Sequence, residues 1–191
     1  MAVAGCGSGG AGAGKSSTTL PADYRPVPVG RGPQFRLPAV SAAVARRQPI
    51  AGMRCTRLQS RAYGIHLELY GQGRVVPVPA GIGIAPPQLR SGAYVRGGAC
   101  WYPLRSYEPT GVVVVGAGAG AATLGRLFDV WGQPLSATRL ARFDGPVAAY
   151  VGGRRWLGSP RAIPLTRHAE IVLETGGHVI PHPAYRFPPG L

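Results

Sequence analysis

Four histidines, three cysteines, seven acidic residues and two glycine-rich stretches are the parts of this 191-residue chain that could do chemistry. Gly9-x-x-x-x-Gly14-Lys15-Ser16 spells a phosphate-binding loop, and Gly116-x-Gly118-x-x-Ala121 spells the dinucleotide fingerprint with Ala in its last place. A phosphate loop needs a buried strand that delivers the turn to a helix N-terminus. Here MAVAGCGS precedes Gly9, and three hydroxyl residues, Leu20 and Pro21 follow, so neither strand nor helix has room. A dinucleotide site needs a second parallel strand ending in an acid about 20 residues on. The helix that follows Gly116 stops at Gly132, and Asp144 sits in a turn, FDGP. Both motifs are therefore read as composition.

His66 lies in a strand-like stretch, His168 before another, and His178 and His182 in a proline-rich tail. The i, i+4 spacing of His178 and His182 does not place them on one helical face, because Pro181 and Pro183 exclude a regular helix. A copper or zinc site from His66, His178 and His182 requires the tail to fold back on the first strand; otherwise no cofactor is expected. No G-x-S-x-G elbow, Cys-His context or carboxylate dyad appears, so the chain is not expected to be an enzyme.

The cysteines are odd in number. Val3-Ala4-Gly5-Cys6 has the form of a lipoprotein cleavage and lipidation box, with Cys6 as the lipidated residue. As no charged n-region and apolar h-region precede it, this reading expects a signal peptide from a translation start upstream of Met1. Cys55 and Cys100 then remain as a disulfide pair, whose 45-residue separation is worth roughly 3–4 kcal/mol by chain entropy.

The elements that must position these residues begin near Tyr63. IHLELY alternates Ile65, Leu67 and Leu69 with His66, Glu68 and Tyr70, the period of a half-buried strand. GQG and RVVPVP read as the turn and return of a hairpin limited by Pro77 and Pro79. CWYPL and GVVVV read as further strands, the second central. Thr123 caps a helix with Leu124, Leu127, Phe128 and Trp131 on one face, stopped by Gly132. PVAAYV and RRWLG flank Gly152-Gly153 as a second hairpin, and EIVLETG is a last strand. The expectation is an α+β, β-dominated domain over residues 55–191, two hairpins and a central strand packed by one short helix in a β-grasp-like order. Residues 1–6 are the remnant of the lipobox. Residues 7–54 form a disordered, flexible tail, first Gly/Ser-rich and then Pro/Arg-rich, with a brief helix at residues 41–47.

Thirty Gly and 20 Pro exceed what a compact fold carries, which supports such a tail. The net charge of +14 rests on 21 basic residues, Lys15 being the single lysine. That usage points to a GC-rich, actinobacterial source. The charge favours anionic partners, either a membrane surface or a cell-envelope polymer, with Arg46, Arg47, Arg154 and Arg155 as candidate contacts. No zinc-finger, RRM or helix-turn-helix pattern supports specific nucleic-acid binding.

At HLELYGQGRVVPVPAGIGI, TLGRLFDVWGQPLS and GSPRAIPLTRHAEIVLETGG the chain resembles a family of bacterial, including actinobacterial, secreted and membrane-associated proteins, over roughly residues 62–191. The resemblance implies an H-x-H-x-H pattern on the first strand and an H-T-H near Arg105–Tyr107. Here Ala62, Gly64, Arg105, Ser106 and Tyr107 stand instead, and only His66 matches. Three functions follow in order: an extracytoplasmic lipoprotein anchored through Cys6 that carries a non-enzymatic binding domain; a His-dependent copper- or zinc-binding envelope protein; and a cytosolic, basic nucleic-acid binder.

Overall fold

The computed structural model of the chain describes Met1, residues 27–57 and residues 62–191. Cys6 and the Gly9–Ser16 motif lie outside the described residues. Twelve strands are present among the described residues: β1 (Ala62–Gly71), β2 (Arg74–Val75), β3 (Leu89–Ser91), β4 (Tyr94–Gly97), β5 (Leu104–Arg105), β6 (Val112–Gly116), β7 (Leu135–Ser136), β8 (Arg139–Leu140), β9 (Phe143–Asp144), β10 (Val147–Val151), β11 (Arg154–Trp156) and β12 (Glu170–Thr175). Two short α-helices accompany them, α1 (Ala42–Ala45) and α2 (Leu124–Trp131).

Seven strands form one mixed sheet in the order β11-β10-β12-β1-β6-β5, with β2 added to β1. Its centre is the parallel pair β1 and β12, registered His66 opposite Glu170, Leu69 opposite Leu173 and Gly71 opposite Thr175. β6 pairs antiparallel with β1 over residues 62–66, and β10 antiparallel with β12. Taken along the chain, β1 and β6, then α2, then β10 and β12 build the sheet in β-grasp order, first and last strands side by side. The fold is α+β and β-dominated, as the patterning implies.

Period two divides the central strands. Ile65, Leu67, Leu69, Ile171 and Leu173 are fully buried in one core with Leu124, Leu127, Phe128 and Trp131 of α2. The helix starts where Thr123 Oγ1 accepts from the Arg126 N–H, and ends at Gly132, which adopts φ +72°. A Cβ there would meet Ser41 Cβ at 2.5 Å, so both conformation and space demand glycine. The second hairpin forms around Gly152-Gly153 as patterned.

Three expectations need correction. The stretch expected as a Pro/Arg-rich linker to residue 54 is not loose over residues 27–57. Phe35, Leu37, Val44, Ile50 and Met53 are buried in the main core, and Trp131 donates its indole N–H to the Pro38 carbonyl at 2.8 Å. Prolines deny this segment a sheet ladder, but five well-spaced apolar side chains still bury, and extended chain can pack without regular structure. RVVPVP contributes only Arg74 and Val75 to the sheet, because Pro77 lacks the next donor. Of CWYPL only Leu104 enters a strand, β5, which Arg105 completes, while Trp101 bridges Thr56 and Ile84 instead. Cys55 and Cys100 are bonded, with Cα atoms 5.5 Å apart, and tie the early segment to the sheet.

A candidate cation site beneath the C-terminal tail

The second face of the central strands carries His66, Glu68 and Tyr70 from β1 and Glu170, Val172 and Glu174 from β12. A half-buried strand would leave this face wet, yet Tyr70, Glu170 and Glu174 are buried and His66 is only 5% exposed. The cover is the C-terminal tail. Its prolines rule out regular structure, and the extended chain runs back over β1 and β12. Tyr185 stacks on the His66 ring at 3.8 Å between centroids and 11° between planes, and Phe187 meets Tyr185 edge-on at 5.1 Å. Phe187 also closes on Gly64, where a Cβ would lie 2.9 Å from its ring.

Every acidic side chain on this face is met by a histidine. His66 Nδ1 lies 2.9 Å from Glu170 Oε2 and 3.9 Å from Glu68 Oε1. His182 Nδ1 lies 2.8 Å from Glu68 Oε1, and Tyr70 donates its hydroxyl to Glu68 Oε2 at 2.8 Å. His178 Nδ1 lies 3.0 Å from Glu174 Oε1, which also accepts from the Tyr150 hydroxyl, and Oε2 accepts from the Val179 N–H. The tail thus folds back as a His66–His178–His182 site requires. It brings together only His66 and His182, through Glu68, while His178 serves Glu174.

His66 Nε2 lies 2.8 Å from the Thr110 carbonyl, which can only accept, so this nitrogen carries a proton. The approach is possible because residue 111 is glycine at φ +86°, where a Cβ would fall 2.5 Å from the Leu67 carbonyl and 2.9 Å from His66 Nε2. With Nε2 committed, Nδ1 alone faces the carboxylates. Burial by itself would lower the imidazolium's pKa, but the hydrogen bond and charge of Glu170, the Thr110 carbonyl and the charge of Glu68 hold it above the ordinary histidine value. Burial raises Glu170 above the ordinary carboxylate value, against the pull of His66. Both directions describe one pair that keeps its shared proton tightly.

One donor atom each from His66, Glu68 and Glu170 lies within 4.8 Å of the others. The set can hold a proton, as above, or exchange it for a divalent cation. Two carboxylates balance a dication once Nδ1 is bare, and the bond from Nε2 to a backbone carbonyl is the arrangement that orients ligating histidines. A cleft of about 520 Å³ opens beside it between the tail and the β12 side, lined by His168, Glu170, Tyr185 and Phe187 among others.

Arg46 and Arg47 follow α1, and Arg154 and Arg155 lie on the β11 edge; all four are exposed, on separate elements. Arg155 lies over the Tyr150 ring at 5.3 Å. Sequence reasoning missed Glu68, Glu170 and Tyr185. Glu68 was signalled by its i+2 spacing from His66, but the parallel pairing that delivers Glu170 leaves no local mark. No protein-family model matches the chain, and no curated protein or solved structure matches it.

Proposed function

We propose that the domain binds a divalent transition-metal ion of the zinc class through His66 Nδ1, Glu68 and Glu170, with His182 on the tail as a further ligand. Convergence of the three donors around a singly committed imidazole is the observation that carries this reading. Imidazole and carboxylate donors without a thiolate suit zinc better than copper(I). The binding is non-enzymatic, and the tail that covers the site makes the ion a stored or structural one. Isothermal titration of chelator-treated protein with zinc tests it: one equivalent per chain is expected, weakened at least tenfold in Glu170→Gln and severalfold in His182→Ala. Wild-type protein that takes up no zinc and gains no thermal stability from it overturns the reading.

We place this domain outside the cytoplasm, tethered to the membrane by lipid on Cys6, with the basic side chains facing anionic headgroups. The lipobox-like Val3-Ala4-Gly5-Cys6 supports it. Among the described residues no helix is long and apolar enough to cross a membrane. Radiolabelled palmitate should enter the wild-type protein and not Cys6→Ala; equal labelling of both, or of neither, refutes the tether.

A further inference from the structure

Arg105 is 4% exposed and, among the described residues, forms no ion pair. Arginine does not shed its proton in proteins, and a buried charge without a counter-charge is strongly unfavourable. Its Nε donates to the Tyr107 hydroxyl at 2.7 Å, and the guanidinium lies over that ring at 5.6 Å from the centroid. Nη1 reaches the Tyr102 and Pro103 carbonyls only at 3.4 and 3.5 Å. Nη2 has no hydrogen bond to a described residue. These neutral partners orient the group, and no described residue balances its charge.

A cleft of about 260 Å³ adjoins it, lined by Gly52, Arg54, Trp101, Arg105 and Gly118 among others, with a second guanidinium in Arg54 and no acidic side chain. Trp101 also lines this cleft, and its buried indole N–H has no hydrogen-bond partner among the described residues. The other two tryptophans place theirs, Trp131 on the Pro38 carbonyl and Trp156 on the Ser159 carbonyl. Among the described residues, the cleft is therefore lined by a buried cation without an anion and by an exposed cation beside it, next to a tryptophan whose indole N–H is unused. The two cations complement the same chemistry.

We infer that this cleft binds a small oxyanion, of the phosphate or carboxylate kind, held by Arg105 and Arg54 against the Trp101 wall. Arg105 supplies the buried charge and Arg54 closes the site from solvent. The inference is independent of the zinc site, since it uses none of the same residues.

Three tryptophans give three indole resonances in a ¹H–¹⁵N spectrum of the full chain; that of Trp101 is assigned by its loss in Trp101→Phe. Inorganic phosphate and, separately, acetate are titrated against chloride at constant ionic strength. The expected result is a saturable shift of the Trp101 resonance with one or both oxyanions, with Trp131 and Trp156 unmoved. A charge-assisted bond is worth roughly ten- to a hundredfold in affinity, so Arg105→Gln should abolish the shift over the accessible range. Arg54→Gln, on the exposed rim, should weaken it by roughly two- to fivefold. Should Arg105→Gln fail to fold, wild type and Arg54→Gln decide between them. A Trp101 resonance that ignores both oxyanions, follows chloride equally, or titrates unchanged in Arg54→Gln overturns the inference.

Discussion

Replacing Glu170 by glutamine tests the covered sheet face most directly, because it keeps the shape and removes the charge. His66 Nδ1 and Glu170 Oε2 are 2.9 Å apart, with side chains 6% and 1% exposed. At an effective dielectric of about 20, such a pair attracts by about 6 kcal/mol before desolvation is subtracted. Removing one member of a buried pair while the other stays charged costs roughly 3–5 kcal/mol. Once the pair has lost its proton the penalty disappears: in wild type a bare Nδ1 then faces an ionised carboxylate, whereas in the variant Nε2–H still donates to Thr110 and Nδ1 can accept from the new amide. The sign follows from linkage. The folded-state pKa of His66 is raised, so in wild type its contribution is fully present below the unfolded histidine value and is lost as pH rises through the folded one. Glu170→Gln removes the largest raising influence and leaves burial to act the other way, tempered by Glu68 at 3.9 Å. Urea unfolding with chelator present should show the variant roughly 3 kcal/mol less stable than wild type below the unfolded histidine value, with the gap closing as pH rises through the folded-state value of His66. Parallel stability curves, or a gap that widens with rising pH, would refute the shared-proton description of the pair.

Phe35→Ala should cost roughly 3–5 kcal/mol in the same assay, since the ring is 3% exposed and packs 5.1 Å from Phe143; an effect below about 0.5 kcal/mol would mean that residues 27–57 do not belong to the folded unit. Replacing both Cys55 and Cys100 by serine should lose about 4 kcal/mol, the chain entropy of a 45-residue closure, and unchanged urea midpoints under reducing and oxidising conditions would count against the bond. Tyr185→Ala removes the ring stacked on His66, so stability should fall by about 1 kcal/mol and diethyl pyrocarbonate should modify His66 severalfold faster; an unchanged rate would show that the tail does not shield the imidazole.

Local signals carried far in this chain. Thr123, the apolar stripe of Leu124, Leu127, Phe128 and Trp131, and Gly132 define α2 without reference to anything distant. Gly152-Gly153 defines its hairpin in the same way. What stayed hidden is either too short to show a period or non-local. The β3–β4 hairpin and the small β7-β8-β9 sheet are built from strands of two to four residues, too short to show a period. The burial of Phe35 and Val44 is decided by a core that proline spacing does not report. At the candidate site, three histidines were visible, but their true partners are carboxylates up to 114 residues away, and only the parallel register and the returning tail join them.

That register is itself fixed by the opposite face. Side chains alternate along a strand, so committing Ile65, Leu67 and Leu69 to the core obliges His66, Glu68 and Tyr70 to face away. Ile171 and Leu173 impose the same parity on Glu170, Val172 and Glu174. A slip of β12 by one residue would drive Glu170 and Glu174 among Phe128, Trp131 and Leu127, where unpaired carboxylates are strongly disfavoured, and would expose two core residues instead. The opposition of His66 to Glu170 is therefore maintained by hydrophobic packing rather than by the strength of their own bond. A proline-rich tail is well suited to complete such a face. It has few backbone N–H groups to satisfy, it stays extended, and within ten residues, 178–187, it sets two histidines and two aromatic rings on the sheet. Stability and site geometry thus come from opposite faces of the same two strands, so substitutions on the covered face can alter ion or proton binding while the core continues to hold the register.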